Sequence, residues 1–331
     1  LVINRSSIKG ECLEIEWGDQ ELKTLHPIPA LASMQYGRDS HQDRKPVPIF
    51  WPQDNNDPIP CYPYADLHDP ASLLQIGLSI RDFGIVRIKD VPVHPGTVAD
   101  VAQCFGVVHR NNYGEVFDVK SDAHMALGSN TGKYLGPHTD ESYRHAAPGI
   151  TCFHCLKAST DGGGASILVD GFHAAERLRT HAPALFETLA TVPIFFQRRA
   201  LPEEDMQSHR RIISLDIDGD VEGIRFTDRT LPPQDLPDDV VEVTYQAIKA
   251  FWNIINDNDM KVIYPMVAGD LHIFDNQRVL HGRTEFNPAK GERHLQQCSV
   301  NRDEFQNTIR TLAARLNHPA QAQTMAGGAL G

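Results

Sequence analysis

Nothing in this sequence approaches the ~20 consecutive apolar residues of a membrane-spanning helix. Its opening, LVINRSSIKGECLEI, lacks the apolar core of a secretory signal. Basic charge is scarce: 31 Lys and Arg stand against 43 Asp and Glu, a formal net charge of −12. A protein that grips nucleic acid by its phosphates needs a basic footprint, and none is present. Six cysteines in 331 residues exclude a disulfide scaffold. Cys152 and Cys155 make one CxxC within GITCFHCLK, a buried-strand pattern. Positions three apart on a strand point to opposite faces, so these are read as core thiols rather than metal ligands. There is no internal repeat. With 41% hydrophobic and 22% charged residues the chain is globular in composition. The expectation is a cytoplasmic enzyme or binding protein for a small molecule, independent of nucleic acid and membrane, with a homodimer left open. The chain does not begin with Met, which leaves its true N-terminus open as well.

What is present changes character along the chain. Residues 1–64 are irregular and end in the proline-punctuated KPVPIFWPQDNNDPIPCYP, although ECLEIEW alternates like a strand. They are read as a small β-rich N-terminal module with a boundary near Pro63. Next, Asp69 and Pro70 start a helix that Gly84 closes, with Leu73, Ile76, Ile80 and Phe83 as its apolar stripe. A short strand follows at 85–88, then a helix over 98–105 capped by Thr97. From about Gly149 short apolar runs alternate with turn signals: GITCFHCL, ASILVD, IFFQRR, RIISLDI, IRF, KVIY, DLHIF, RVLH and RHLQQCSV. That rhythm predicts a mainly β fold with flanking helices, of sandwich or barrel type. One strong helix interrupts it, with Val241, Ile248, Phe251, Trp252 and Ile255 on one face. The main domain is expected over 65–315, followed by a disordered tail over 316–331.

The sharpest local signal is GPHTDESYR. On a strand, His138 and Asp140 point to the same side. His281 ends a distant strand in DNQRVLHGR. Two histidines and one carboxylate form the facial triad that holds non-heme Fe(II) while leaving coordination positions open. An H-x-D pair alone is weak evidence among 16 histidines. Arg293, in GERHLQQ, adds a planar cation suited to a carboxylate. Ser166, at the start of a strand after GGG, adds a hydroxyl.

These stretches resemble a known family. NNYGEVFDV, HTDESYRHAAPGITCFHCLKAS, GGGASILVDGF, GDLHIFDNQRVLHGR and RHLQQCSV are similar, in order, to the gamma-butyrobetaine hydroxylase branch of the taurine dioxygenase-like Fe(II)- and 2-oxoglutarate-dependent oxygenases. The resemblance implies a double-stranded β-helix (jelly-roll) core. It implies iron ligands at His138, Asp140 and His281, 2-oxoglutarate held by Arg293 with help from Ser166, and O2 as the other cosubstrate.

There are two departures from the family pattern. The family's quaternary-ammonium enzymes carry a Cys/His zinc cluster in the N-terminal module. Here that region holds Cys12, with Cys61 at its end, so no zinc is expected. Their aromatic cage for trimethylammonium is matched by Tyr113 and Phe117, but Asn130, Glu141 and Ser299 stand at its other positions. Glu141 suits a cation that donates hydrogen bonds, and Arg144 is a candidate for a substrate carboxylate. The expected reaction is therefore oxidation of an unactivated C–H bond of a small zwitterionic amine or amino acid, by hydroxylation, desaturation or cyclisation. The rivals are a hydroxylase of a quaternary ammonium substrate, a non-catalytic β-barrel binding protein, and a metal-dependent hydrolase or isomerase.

Overall fold

The computed structural model describes residues 2–18, 22–33, 45–52, 59–120, 132–160, 162–288, 293–318 and 327–329. Its contacts divide the chain into two compact units, Leu1–Lys45 and Pro46–Gly331. In the first, β1 (Ile3–Lys9), β2 (Cys12–Trp17) and β3 (Leu22–Pro27) form an antiparallel sheet with β2 in the middle. A short helix, α1 (Ile28–Ser33), follows.

Residues 46–52 and 59–64, expected in the N-terminal module, belong instead to the larger unit. Trp51 and Ile59 are buried against Ile85, Leu168, Phe274 and Val279. The prolines that prevent a helix here do not prevent burial of an indole. The strand β4 (Cys61–Pro63) then leads to α2 (Pro70–Phe83) and β5 (Ile85–Lys89), and β4 pairs with β5 in parallel. Asp69 caps α2 by accepting from the Ser72 amide at 2.8 Å. Gly84 ends it at φ 78°, a left-handed turn that glycine adopts without a Cβ clash. The next helix, α3 (Thr97–Gln103), begins behind Gly96, so Thr97 is its first residue and not its cap. The Gly96 amide donates to Gln296 Oε1 instead.

The site is built on two sheets. Their further strands are β6 (Phe117–Lys120), β7 (Leu135–His138), β8 (Ile150–Lys157) and β9 (Ser166–Asp170). Two helices, α4 (Gly171–His181) and α5 (Pro183–Thr191), follow, then two ribbons: β10 (Ile194–Ala200) with β11 (Glu204–Arg210), and β12 (Ile213–Leu215) with β13 (Val221–Ile224). The chain closes with α6 (Asp238–Asn256), β14 (Val262–Tyr264), β15 (Leu271–Asp275), β16 (Val279–Arg283), β17 (His294–Val300) and α7 (Arg302–Arg315). One sheet has six strands in the order β4-β5-β15-β8-β17-β6, the other four in the order β14-β9-β16-β7. Ile85 and Phe274 from the first pack with Leu168 and Val279 from the second. The fold is thus mainly β with several helices.

Helices α2, α3 and α7 cover the outer face of the six-stranded sheet in one apolar cluster. A second cluster joins α4, α5 and α6 to β12 and β13. Phe251 and Ile255 of α6 are buried there, whereas Trp252 is 43% exposed and donates to Asp228. Cys152 lies in the first cluster, and Cys155 on the opposite face beside Val119, Met266 and Leu295. The expected disordered tail is docked where it is described. Ala329 is buried, donates to Gln277 Oε1 at 2.8 Å and accepts from Arg225 Nη2 at 2.8 Å. Residues 319–326 and 330–331 of that tail lie outside the described residues.

Candidate active site

His138 closes β7 and His281 sits directly opposite it on β16. Their ring centroids are 4.5 Å apart. Asp140 is not on the strand, as its spacing predicts, but in the turn just after it. Asn276 fixes that turn: its Oδ1 accepts from the Asp140 amide at 2.7 Å, and its Nδ2 donates to the Asp140 carbonyl at 3.2 Å. Gln297 on β17 donates to Asp140 Oδ2 at 2.7 Å. The other oxygen, Oδ1, lies 3.5 Å from Nε2 of both His138 and His281. These gaps exceed a normal N–H···O bond of about 2.7–3.2 Å. Three donors therefore surround one point without satisfying one another. All lie within 4.8 Å of each other, and this is the one such group of potential metal ligands among the described residues.

His138 is presented in a form that suits a metal. His138 Nδ1 is 2.9 Å from the Gly136 carbonyl, which leaves Nε2 as the lone-pair nitrogen facing Asp140. Phe274 and Phe153 flank the His281 ring at 4.9 and 5.3 Å. Burial pushes His138 down to about 4, with Arg229 and His281 adding to the effect and Asp140 opposing it. Burial would raise the Asp140 carboxyl, but His281 and His138 hold it well below the usual carboxylate range. A neutral His138 imidazole beside an ionised Asp140 carboxylate suits a divalent cation, which takes both ligands in those forms.

The site opens into a cavity of about 390 Å3. Arg293 and Ser166 line it, as does Arg283, which donates to the Lys133 carbonyl at 3.0 Å. Arg293 and Arg283 stand 5.9 and 4.8 Å from the Phe286 ring. Burial lowers both to about 10, so both remain cationic at neutral pH. Gly164 makes room for Arg293: a Cβ there would lie 3.1 Å from its Cδ.

The remaining expected site residues divide. Tyr113 and Phe117 line the cavity as an edge-to-face pair 5.8 Å apart. Ser299 and Glu141 line it too. Glu141 sits at φ 54°, a conformation that disfavours a non-glycine residue by about 1–2 kcal/mol. Its carboxylate is engaged by Arg144 Nε and by Asn111 Nδ2. Arg144 thus pairs with Glu141 and stands outside the cavity lining. Asn130 lies outside the described residues.

Several lining or supporting residues carry no distinct sequence signal. Asn276 and Gln297 stand inside the quoted stretches DNQR and HLQQC, where a turn amide and an inward strand residue next to Asp140 are the available clues. Glu204 comes from a segment without strand composition, whereas Arg198 and Tyr143 stand inside the quoted IFFQRR and GPHTDESYR, where nothing local shows that they face the cavity. The DNQR turn serves structure as well. Asp275 accepts from Arg302 Nη1 at 2.8 Å, and Arg278 forms a two-point pair with Asp170, both bonds 3.0 Å and fully buried.

Comparison with known proteins agrees with this geometry. A family model described as "Taurine catabolism dioxygenase TauD, TfdA family" matches residues 58–299. The gamma-butyrobetaine dioxygenase of Pseudomonas sp. (strain AK-1) is 33% identical over 304 residues, 91% of this chain and 78% of that protein. The Homo sapiens gamma-butyrobetaine dioxygenase is 32% identical over 246 residues, 72% of this chain and 63% of its own length. A solved asparagine oxygenase in complex with Fe(II), 2S,3S-3-hydroxyasparagine and succinate superposes with a TM-score of 0.56 at 19% identity, covering 70% of this chain and 80% of that one. The structural likeness shows the fold; the family match spans residues 58–299, the stretch within which His138, Asp140 and His281 lie. This chain belongs to the TauD/TfdA dioxygenase family.

Proposed function

We propose that this protein is an Fe(II)- and 2-oxoglutarate-dependent oxygenase of a small zwitterionic amine or amino acid. The observation that carries the reading is the convergence of His138, Asp140 and His281 on one point, in a cavity that also holds buried, cationic Arg293. The donor set fits iron, because two imidazoles and one carboxylate on one side leave the other positions open. His138, Asp140 and His281 would hold the metal. Arg293, with the Ser166 hydroxyl, would hold the far carboxylate of 2-oxoglutarate. Bound iron with 2-oxoglutarate and O2 supplies oxidation of a C–H bond, with succinate and CO2 as co-products.

The chain's own part is to position and exclude. Asn276 and Gln297 keep Asp140 turned toward the histidines. Phe153, Phe274 and Leu168 make the cavity wall near His281 apolar. Tyr113, Phe117 and Glu141 form the substrate side of the reading, with Glu141 accepting from an N–H of the substrate and Arg144 acting only through its pair with Glu141. In this reading the six- and four-stranded sheets are the two walls of a double-stranded β-helix, and the enzyme works in the cytoplasm.

The test measures succinate formed by iron-loaded protein with 2-oxoglutarate and O2, across a panel of amines and amino acids. Iron-dependent succinate that rises with one class of amine is expected. No succinate under any condition, with iron bound, refutes the reading.

A further inference from the structure

A second group of charged side chains faces the cavity and takes no part in the iron or Arg293 positions. Tyr113 donates its hydroxyl to Glu204 Oε1 at 2.7 Å and lies 3.3 Å, oxygen to oxygen, from the Tyr143 hydroxyl. Arg198 Nε donates to Glu204 Oε2 at 2.7 Å. Two ion pairs, Arg198–Glu204 and Arg144–Glu141, therefore flank one tyrosine pair. Asn112 touches both, donating to Glu204 and accepting from Arg144.

Both guanidinium groups reach the rings. Arg198 Cζ is 5.7 Å from the Tyr113 centroid and 5.9 Å from that of Tyr143. Arg144 Cζ is 5.8 and 5.9 Å from the same two. These distances fall within the roughly 6 Å range of a cation–π contact. Arg198, which lines the cavity, thus already contacts the aromatic surface that a quaternary ammonium group would need. To take its place, such a group would have to pull the Arg198 guanidinium from Glu204.

One member of each ion pair lines the cavity: Arg198 from the first and Glu141 from the second. The wall therefore shows the cavity one cation and one anion beside the phenols. A carboxylate has about four acceptor sites, so Glu141 retains capacity beyond its bonds to Arg144 and Asn111. Arg198 likewise has donors beyond the Nε bonded to Glu204. The turn that carries Glu141 is held from below. Buried Arg225 donates to the carbonyls of Ser142, Arg144 and His145, and the Arg144 amide closes onto the Glu141 carbonyl at 2.9 Å.

We propose that this wall is a head-group site for a free amino acid: Arg198 takes the carboxylate, Glu141 the unmethylated ammonium, and the Tyr113–Tyr143 pair packs between them. The inference rests on the oxygenase reading and names its substrate class. It also assigns binding roles to Arg198 and Tyr143, and a supporting role to Glu204 as the group that orients Arg198.

The experiment uses the full chain loaded with Fe(II), and follows succinate formation with α- and ω-amino acids. Each is compared with its methyl ester and its N,N,N-trimethyl derivative. For the best amino acid, kcat/KM is expected to be at least tenfold above that of either derivative. Arg198→Gln should bring acid and ester to within about twofold, chiefly through KM, while Arg198→Lys keeps part of the preference for the acid. Glu141→Gln should level the amine and its trimethyl form. Melting curves identify any variant that fails to fold, and Arg198→Lys, which retains the charge, covers that case for Arg198→Gln. The proposal is overturned if a trimethylated compound such as gamma-butyrobetaine matches the free amino acids, if no amino acid raises turnover, or if folded Arg198→Gln keeps the acid-over-ester ratio. Substrate-free succinate formation by the wild type separates the two levels. Its presence without amino-acid selectivity defeats only the head-group site; its absence, with no turnover of any compound, defeats the oxygenase reading as well.

Discussion

Asn276→Ala tests how the Asp140 donor is aimed. Asn276 is fully buried in the turn between β15 and β16. Its side chain accepts from the Asp140 amide at 2.7 Å and donates to the carbonyls of Asp140 and Pro148 at 3.2 and 3.3 Å. Alanine removes all three bonds. At about 0.5–1.5 kcal/mol net for each, more where a group is left dry, the loss of stability is about 3 kcal/mol. The more specific effect is on the metal. Losing an orienting partner typically lowers metal affinity 10–100-fold, about 1.4–2.7 kcal/mol. The assay pairs urea unfolding of the metal-free protein with anaerobic Fe(II) or Mn(II) titration. Leu189→Ala, in the separate cluster of α4, α5 and α6, is the control. A buried Leu→Ala change costs about 2–5 kcal/mol in stability, and it should leave metal affinity within about twofold. Equal metal affinity in Asn276→Ala and wild type would refute the reasoning, because the turn would then hold Asp140 without Asn276.

Three further outcomes are expected. Arg293→Ala should weaken 2-oxoglutarate by about 10–100-fold, the worth of a charge-assisted pair of about 1.5–3 kcal/mol; unchanged affinity in a binding titration would move the role to Arg283. Gly282→Ala would place a Cβ 2.4 Å from the Leu135 carbonyl oxygen and 3.0 Å from the Gly136 carbonyl carbon, backbone atoms that cannot rotate aside. It should part β7 from β16, lower stability by about 1–3 kcal/mol and weaken metal binding at least tenfold in the same titration. Buried His154 has no hydrogen-bond partner at either ring nitrogen among the described residues, and burial pushes it down to about 4. Between pH 6.5 and 4 the unfolded chain takes up a proton at this position that the folded chain refuses. Its contribution is therefore intact above about pH 6.5 and falls by roughly 2–3 kcal/mol as the pH drops to 4. His154→Leu should flatten that part of the stability–pH curve, as measured by urea unfolding of metal-free protein; an unaltered slope would contradict it.

Elements whose signals are local were legible in the sequence. Asp69, Pro70 and Gly84 delimit α2 because each acts through its own backbone or one nearby amide. The apolar runs that became β8, β9, β15, β16 and β17 carry their burial in their composition. Helices α4 and α5 escaped because Asp170 ends β9 and caps α4 with no linker between, and Pro183 opens α5 two residues after α4 ends. The polar β11, EDMQSHR, shows no strand composition; it pairs because β10 lies alongside it. Tertiary contact likewise decided the fate of Trp51, buried by strands far along the chain, and of Ala329, held by Gln277 and Arg225. At the site, residue types and spacing singled out His138, Asp140 and His281. Neither could show that Asp140 turns inward from a loop, or that Arg144 would be spent on Glu141.

The most direct test of the central claim is iron-dependent succinate formation in wild type and in His281→Ala, with bound metal measured in the same samples. One equivalent of iron per wild-type chain is predicted, with succinate formed from 2-oxoglutarate in its presence, and loss of both in the variant. Wild-type succinate formation in His281→Ala, or without iron, would contradict the assignment of this site.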